Sequence, residues 1–365
     1  MILLNTLFSL WDIIQTRLFP VIEEENQTEL TAKEKQFVEV VSLMDMGRHM
    51  RAYSWCGTGR KKSRRDKILK AFIAKAVYDF PTTRTLLEYL NTSRSLRRLC
   101  GWERASEMPS EATFSRAFGE FAEGRLSEMI FEAMVKEHLG DKLVGHISGD
   151  STAIEAREKA VRKVKEEKKP KKRGRPFKGS EPAIEPRRLD LQLTRDLEDN
   201  LKDLPISCDF GCKRDSKGNT YSWQGFKLHI GVADGDIPVS AILTSASLHD
   251  SQAAIPLLQM TKERIINCYD LYDAAYDAPQ IKDFSRNLGH VPIIDSNPRR
   301  GEKTLFDPAE KIRFAHRSSV ERVNSDLKDN HGGNHIRVRG HSKVMCHLML
   351  GLLVITASNL FSMLC

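Results

Sequence analysis

Four residues near the C-terminal end of the chain are spaced so that one face of a helix would carry them. Phe314, Arg317, Glu321 and Lys328 are separated by three, four and seven residues, and residues at such spacings share one stripe of an α-helix. A carboxylate flanked by two cations is suited to hold phosphate and a metal ion together. The same charges also occur on exposed helices with ordinary salt bridges at three- and four-residue spacing. The stripe alone leaves both interpretations open.

Two aspartates far from this stripe end apolar runs that have the composition of strands. Asp150 ends the run 143–150, and Asp273 ends the run 265–273. Mg²⁺ prefers oxygen ligands and keeps positions open for water and phosphate, and two ions about 4 Å apart can assist phosphodiester chemistry. A single strand-end aspartate more often caps a turn. Together with the stripe, the two favour a catalytic metal site on Asp150, Asp273 and Glu321.

Other acids near these positions compete for the same role. Asp270 comes three residues too early to share the strand end with Asp273, and we predict that Asp277 caps the following helix. His249 and Asp250 either support the site from behind or form a structural turn. None of the four replaces the predicted triad.

The charge of the chain is concentrated in one segment. The 365 residues are 40% hydrophobic and 29% charged, which is typical of a globular protein, and the net charge is +8. Residues 157–178 contain twelve basic and three acidic residues, so the rest of the chain is close to neutral. Such a local excess favours a polyanionic partner, although a ribosome-associated or membrane-surface protein has a similar balance.

The centre of this basic segment resembles a DNA-binding motif. Arg173-Gly-Arg175-Pro is similar to the core of an AT-hook, in which extended arginines enter the narrow minor groove of A·T-rich DNA. Basic segments of this kind also occur as solvated linkers. We expect attraction to DNA phosphates through Arg173 and Arg175, whereas groove specificity stays open.

Cysteine usage and apolar stretches bear on the compartment. Seven cysteines without framework spacing favour a reducing compartment, and Cys208 and Cys212 are predicted to be free thiols in a loop. Residues 344–364 carry no Asp, Glu, Lys or Arg, and this run is long enough to span a membrane. A helix that is apolar all round also occurs as a core helix. We predict the core helix, an amphipathic rather than a signal-peptide segment at 1–20, and a cytoplasmic, nucleoid-associated protein.

The elements fall into three parts. We predict a helical extension at 1–60, a helical domain at 61–140 and a catalytic domain at 141–365 that a basic insert interrupts at about 155–215. The helical domain carries five arginines that would either contact DNA or form its solvent face: Arg94, Arg97, Arg98, Arg104 and Arg116.

Alternating and apolar runs predict the order of elements in the catalytic domain. The predicted strands are 143–150, 221–233, 237–245, 265–273 and 291–295. The predicted helices are 250–264, 277–288, 314–330 and the C-terminal apolar run. Residues 234–236 (Asp-Gly-Asp) mark a hairpin. This succession predicts a ribonuclease H-like α/β fold, a mixed sheet with helices on both faces, preceded by the helical N-terminal domain.

The motifs resemble those of DDE transposases from bacterial insertion sequences. Their YREK signature has Tyr, Arg, Glu and Lys at the spacing seen here, and Arg317, Glu321 and Lys328 match it, while Phe314 stands at the Tyr position. Asp273-Ala-Ala-Tyr-Asp resembles the second-acid motif, and Gly-Asp150-Ser-Thr resembles the first. His249-Asp-Ser and the helical stretch 71–121 are also similar, so the resemblance covers roughly residue 65 to the C-terminus.

The resemblance implies a transposase that binds the terminal inverted repeats of its own element. It implies Mg²⁺-dependent cleavage and strand transfer, with Mn²⁺ as a substitute, and a dimer or larger synaptic complex on double-stranded DNA. Asp150, Asp273 and Glu321 would be both catalytic residues and metal ligands, and Arg317, Lys328 and Phe314 would contact DNA. Two alternatives remain: a ribonuclease H-like nuclease, and a DNA-binding regulator or domesticated remnant without catalysis.

Overall fold

The computed structural model describes residues 2–57, 59, 62–161, 186–214, 218–298 and 302–364. The predicted DNA-contacting residues Arg173 and Arg175 lie outside these described residues, as does the whole of 162–185 in the basic insert.

Helices make up the N-terminal part of the chain, as predicted. A π-helical turn at Ile14–Leu18 joins the first two helices, and α8 begins after Ser110, which makes no side-chain capping bond. Two of the five arginines have structural roles, since Arg97 donates to the carbonyl of Leu90 and Arg98 to Glu103. The helices are α1 (Ile2–Ile13), α2 (Phe19–Asn26), α3 (Ala32–Leu43), α4 (Met46–His49), α5 (Arg65–Val77), α6 (Thr83–Thr92), α7 (Arg94–Leu99), α8 (Glu111–Glu123) and α9 (Leu126–Leu139).

The strands form one mixed sheet among the described residues. They are β1 (Leu143–Glu155), β2 (Asp209–Arg214), β3 (Thr220–Ala233), β4 (Ile237–Ser245), β5 (Ile266–Tyr272) and β6 (Val291–Ile294). The order is β2-β3-β1-β5-β6, with β4 also paired to β3; β1, β5 and β6 run parallel, and β3 is antiparallel to β1. Asp236 and Gly235 form the predicted hairpin with φ values of 58° and 80°.

Helices cover both faces of this sheet, which confirms the ribonuclease H-like fold class. They are α10 (Arg188–Gln192), α11 (Leu197–Asp203), α12 (Ala254–Lys262), α13 (Pro279–Asn287), α14 (Pro308–Phe314), α15 (Ser318–Asn330) and α16 (His341–Ser362). On β3, Leu228 and Ile230 join the core cluster that contains α16, whereas Gly231 faces Thr261 of α12. Because side chains alternate between the two faces along a strand, α12 lies on one face of the sheet and α15 and α16 lie on the other.

The C-terminal helix α16 is a core element. It is long and apolar enough to cross a membrane, but 83% of its most apolar window is buried inside the protein. It packs against α3, α5, α8 and α9 on one side and against β4 and α15 on the other. The apolar run is therefore a core helix, as predicted, and it also joins the helical region to the sheet.

Three details differ from the sequence predictions. β1 does not end at Asp150 but continues to Glu155, because β3 keeps pairing with it as far as Gly225. The predicted helix 314–330 is broken by a 3₁₀ turn at Ala315–Arg317, which separates α14 from α15. Asp277 does not cap α13, since its carboxylate accepts from Lys282 at 2.6 Å and from the backbone of Asn297 at 2.9 Å.

Candidate active site

Asp150 and Asp273 lie side by side on neighbouring parallel strands. The pairing of β1 with β5 ends at Gly149 and Tyr272, and the next residue of each strand is one of the two aspartates. Neighbouring strands are about 4.8 Å apart. A side chain at position 149 would meet the ring of Tyr272 at 2.0 Å, so glycine is required there. β5 ends here while β1 continues, so the two aspartates lie where the pairing of the two strands stops.

Burial raises the pKa values of both carboxyl groups. The pKa of Asp150 rises to about 6, mainly through desolvation, and the charge of Asp273 adds to the rise while Lys213 and Arg317 oppose it. Desolvation also raises the pKa of Asp273, against the hydrogen bond from Ala275 and the charge of Arg317. The metal-free protein therefore has a poorly compensated pair of acids.

Each aspartate keeps one carboxylate oxygen available. One oxygen of Asp150 accepts from the backbone N–H of Ser151 at 2.7 Å, and one oxygen of Asp273 accepts from Ala275 at 2.9 Å. Within the described residues, the second oxygen of each has no hydrogen-bond donor. Two hard oxygen donors at neighbouring strand ends are a suitable partial ligand set for Mg²⁺.

Glu321 lies on α15, which packs against β1 and β3. Its side chain is 56% exposed and forms an ion pair with Arg317. Among the described residues, the three acids do not form a set whose ligand atoms all lie within 4.8 Å of one another. The structure thus places Asp150 and Asp273 at neighbouring strand ends. Glu321 is connected to them through Arg317, which pairs with Glu321 and whose charge acts on both aspartates.

The other residues of the stripe lie on either side of Glu321. Phe314 is half-buried at the end of α14, with its ring 4.7 Å from that of Phe306 and beneath the guanidinium of Arg317 at 5.9 Å. Lys328 is half-buried in the last turns of α15, and burial lowers the pKa of its ammonium group. The 3₁₀ turn leaves the ring of Phe314 beside Arg317, and Lys328 is part of α15 itself.

Two family models match the chain. A model of a transposase DDE domain matches residues 206–357, and a model of a transposase domain, DUF772, matches residues 25–120. The two matches together cover about two thirds of the chain and support a DDE transposase of insertion-sequence type. Asp273 and Glu321 of the transposase lie inside the matched DDE segment, and Asp150 precedes it. No curated protein sequence matches the chain.

The DUF772 match runs across residue 60, where we placed a domain boundary. The three-part division of the transposase therefore stays a prediction. The catalytic assignment of the three acids and the DNA contacts of Arg317, Lys328 and Phe314 also stay predictions.

The transposase has a cation at this site that the sequence did not indicate. Lys213 on β2 donates to the backbone carbonyl of Ser151 at 2.9 Å, and its charge lowers the pKa values of Asp150 and Asp273. No local motif marks Lys213, because it reaches the site only through the pairing of β2 with β3.

Two residues behind the aspartates complete the site. Tyr276 is 1% exposed, and its hydroxyl has no partner among the described residues. Burial raises its pKa well above the usual value, and Asp150, Asp250 and Asp273 raise it further. Asp250 is held by Lys227 at 2.9 Å, and its charge raises the pKa of Asp273. His249 forms the turn, with its Nδ1 2.8 Å from the hydroxyl of Ser251.

A second polar group fastens the start of α15 to the sheet. Asp234 in the β3–β4 hairpin accepts from the backbone of His146 at 2.9 Å, and its Oδ1 lies 3.0 Å from His146 Nδ1 and 3.6 Å from His316 Nδ1. The two imidazoles stack at 4.3 Å. Among the described residues these are the one set of three potential metal ligands within 4.8 Å of one another. The group lies four residues before Asp150 along β1 and is distinct from the acids.

Proposed function

We propose that this transposase cuts DNA at the ends of its own element and joins the freed 3′ ends to target DNA. The observation that carries the proposal is the pair Asp150 and Asp273, two half-buried neighbouring carboxyl groups with raised pKa values and one available oxygen each. Buried like charges are costly unless a cation compensates them, which is what a metal-dependent phosphodiester site requires.

Asp150, Asp273 and Glu321 would hold one or two Mg²⁺ ions, with Mn²⁺ as a substitute. When bound, the metal supplies Lewis-acid stabilisation of the attacking and leaving oxygens. Arg317 is the residue that links the three acids in the metal-free protein. When a DNA phosphate enters the site, the guanidinium of Arg317 can release Glu321 and bind two phosphate oxygens instead. Arginine favours this bidentate geometry.

The proposed DNA partners are the terminal inverted repeats and a target duplex, brought together by a dimer or larger assembly. Lys328 and Arg317 would bind the backbone close to the scissile phosphate, and Phe314 would pack against sugar or base. Because DNA is the substrate, we expect the protein in the cytoplasm at the nucleoid.

The test begins by reading the DNA that flanks the gene for short inverted repeats, and a duplex that carries such a repeat is the substrate. We expect Asp150→Asn, Asp273→Asn and Glu321→Gln each to abolish cleavage and joining in Mg²⁺, while DNA binding is kept, because removing negative charge does not weaken phosphate attraction. Asp295→Asn is the matched control: Asp295 follows β6 and pairs with Lys303 at 2.8 Å, so it should leave cleavage unchanged. Wild-type cleavage by any of the three variants would refute the assignment, and cleavage without joined products would indicate a nuclease.

A further inference from the structure

A basic cavity lies between the helical region and the segment that connects α15 to α16. It has a volume of about 600 Å³ and opens to solvent, with walls from α5, α6, α8 and residues 331–338. An adjoining cavity of about 480 Å³ shares much of this lining and adds Arg339 and Lys343. We call the two together the basic cleft.

Cations dominate the lining of the basic cleft. They are Lys75, Arg84, Arg157, Arg337, Arg339 and Lys343. The described lining contains one acid, Glu111, which pairs with Arg84 at 3.4 Å. Such an excess of positive charge in a concave surface concentrates anions.

Three arginines of the cleft have unused guanidinium groups. Arg157, Arg337 and Arg339 are exposed, and none has an acidic partner within 4.0 Å among the described residues. Arg157 lies just after the end of β1, where the basic insert begins. Arginines that stabilise the fold usually pair with a carboxylate or a carbonyl, as Arg98 does with Glu103; these three are available to a ligand.

The segment that carries two of these arginines is fixed at several points. His331 Nδ1 lies 3.0 Å from the carbonyl oxygen of Ala76, and His347 Nε2 lies 2.9 Å from that of Gly332. At the other end, the backbone of Gly340 donates to Glu158 at 2.9 Å. The cleft is therefore preorganised, which lowers the entropic cost of binding.

The cleft lies in line with the candidate active site. From Glu321 to Lys328, α15 advances about 10 Å at 1.5 Å per residue, and from Asp150 to Glu155, β1 advances roughly 16 Å. The charge of Glu155 acts on Lys328, so both elements run side by side towards the cleft. At a backbone step of ~3.4 Å per nucleotide, the roughly 16 Å along β1 corresponds to about five nucleotides.

We propose that the basic cleft binds the phosphate backbone of the DNA duplex about five nucleotides from the scissile phosphate. The binding surface is inferred from the cleft alone, and only its distance from the scissile phosphate rests on the proposed function. Arg157, Arg337 and Arg339 would each contact one phosphate, and the preorganised segment would fix the direction in which the duplex leaves the site.

The test measures the salt dependence of binding to a mixed-sequence duplex of about 30 base pairs, roughly three helical turns. For the triple variant Arg157→Ala/Arg337→Ala/Arg339→Ala, the log–log slope should fall by about 2.7, since each phosphate that a cation neutralises contributes about 0.9. Over a fourfold rise in salt, the variant should thus lose roughly 40-fold less affinity than the wild type. Lys262→Ala, which removes an exposed cation of α12 on the other face of the sheet, should leave the slope unchanged.

A second readout locates the contact. In an element-end duplex, single neutral methylphosphonates about five nucleotides from the cleavage site should weaken wild-type binding and leave the triple variant unaffected. An unchanged slope in the triple variant would overturn the inference, even if the wild type cleaves DNA normally. If the slope falls but no protein cleaves DNA in Mg²⁺, the cleft assignment stands and the proposed function fails. Single variants of the three arginines provide the same slope test should the triple variant not fold.

Discussion

At the scale of single residues, Asp150 carries a stability cost in the metal-free protein. Its carboxyl is largely buried next to Asp273, and its pKa rises from 3.8 to about 6. A raised folded-state pKa means that the folded protein holds the proton more tightly than the unfolded chain. Stability from this group is complete below the unfolded pKa, near 3.8, and is lost as the pH rises through about 6.

Asp150→Asn should therefore stabilise the protein in the absence of divalent metal. Two pKa units correspond to roughly 3 kcal/mol in the free energy of unfolding, which we take as the upper limit at pH 7.5. The gain should shrink towards zero as the pH approaches 4. Denaturant unfolding in EDTA at both pH values measures it, with Asp295→Asn as the neutral control. A variant that is less stable than the wild type at pH 7.5 would mean that Asp150 is already compensated.

Phe314 allows a test of the one position that departs from the YREK pattern. The ring is half-buried against Phe306, and a phenol at this position can reach a phosphate while keeping the ring contacts. Phe314→Tyr should keep the stability within about 0.5 kcal/mol and keep or increase the cleavage rate. Phe314→Ala, which removes the ring, should reduce both. Severe loss of cleavage in the tyrosine variant would place the ring in the core, away from DNA.

Residue types and spacing were enough to predict the acids of the candidate site but not their partners. Asp150 and Asp273 follow apolar runs of strand composition, and Glu321 belongs to a helical repeat. Lys213 is 63 residues from Asp150 in the chain, and only the sheet pairing brings it near. Long-range strand pairing leaves no local pattern, so such a residue could not be predicted.

At the scale of elements, we predict that residues 168–178 of the basic insert can be deleted without loss of the fold. Deleting 168–178 removes seven cations, Lys168, Lys169, Lys171, Lys172, Arg173, Arg175 and Lys178. Because a segment of this composition buries little apolar surface, thermal stability should hardly change. The salt slope of duplex binding should fall by about 0.9 for each phosphate that the deleted cations neutralise in the wild type.

The same deletion tests the AT-hook resemblance. A larger loss of affinity on A·T-rich than on G·C-rich duplexes of equal length would support minor-groove binding, and an equal loss would leave an electrostatic tether, which we expect. An unchanged salt slope would contradict any contact between the insert and DNA.

Most element types were predicted, whereas α10, α11 and β2 in the basic insert and several element ends were not. Apolar alternation predicted β3, β4, β5 and β6 close to their bounds. β1 continues past Asp150 because its antiparallel partner is longer than its parallel one, and pairing length is not encoded in the strand itself. The 3₁₀ turn before α15 likewise depends on contacts of His316 with the sheet.

At the scale of the whole molecule, α16 couples the helical region to the active-site helix. Gly351 lies at a tight approach, since a side chain there would meet the carbonyl oxygen of His331 and the side chain of Leu327, each at 2.6 Å. This approach therefore joins α16 both to α15 and to the segment that forms the basic cleft.

Gly351→Ala should lower the free energy of unfolding by about 1–3 kcal/mol through overpacking, and should slow cleavage because α15 carries Glu321. Gly119→Ala is the control. Its nearest atom, in Lys343, is 3.8 Å away, so the better helix propensity of alanine should stabilise α8 by up to about 1 kcal/mol. Thermal unfolding and cleavage of both variants are the measurements; equal effects would show that α16 does not determine the position of α15.

The basic cleft belongs to this largest scale and could not be predicted from the sequence. Its cations come from α5, α6, the residues after β1, the α15–α16 segment and α16, and in the sequence each looks like an ordinary surface charge. The ribonuclease H-like order of elements was predictable because it depends on local patterns, whereas the surface between the two regions depends on how they dock.

The central claim is that Asp150, Asp273 and Glu321 together hold the divalent ion. Fe²⁺ accepts carboxylate as well as imidazole ligands, and with ascorbate and peroxide it cuts the protein backbone beside its binding site. Mapping the cuts that added Mg²⁺ suppresses therefore locates the Mg²⁺ site directly. The account predicts Mg²⁺-suppressed cuts in all three segments, around Asp150, Asp273 and Glu321. Suppressed cuts around Asp234 with none around Asp273 would contradict it and place the ion in the histidine group instead.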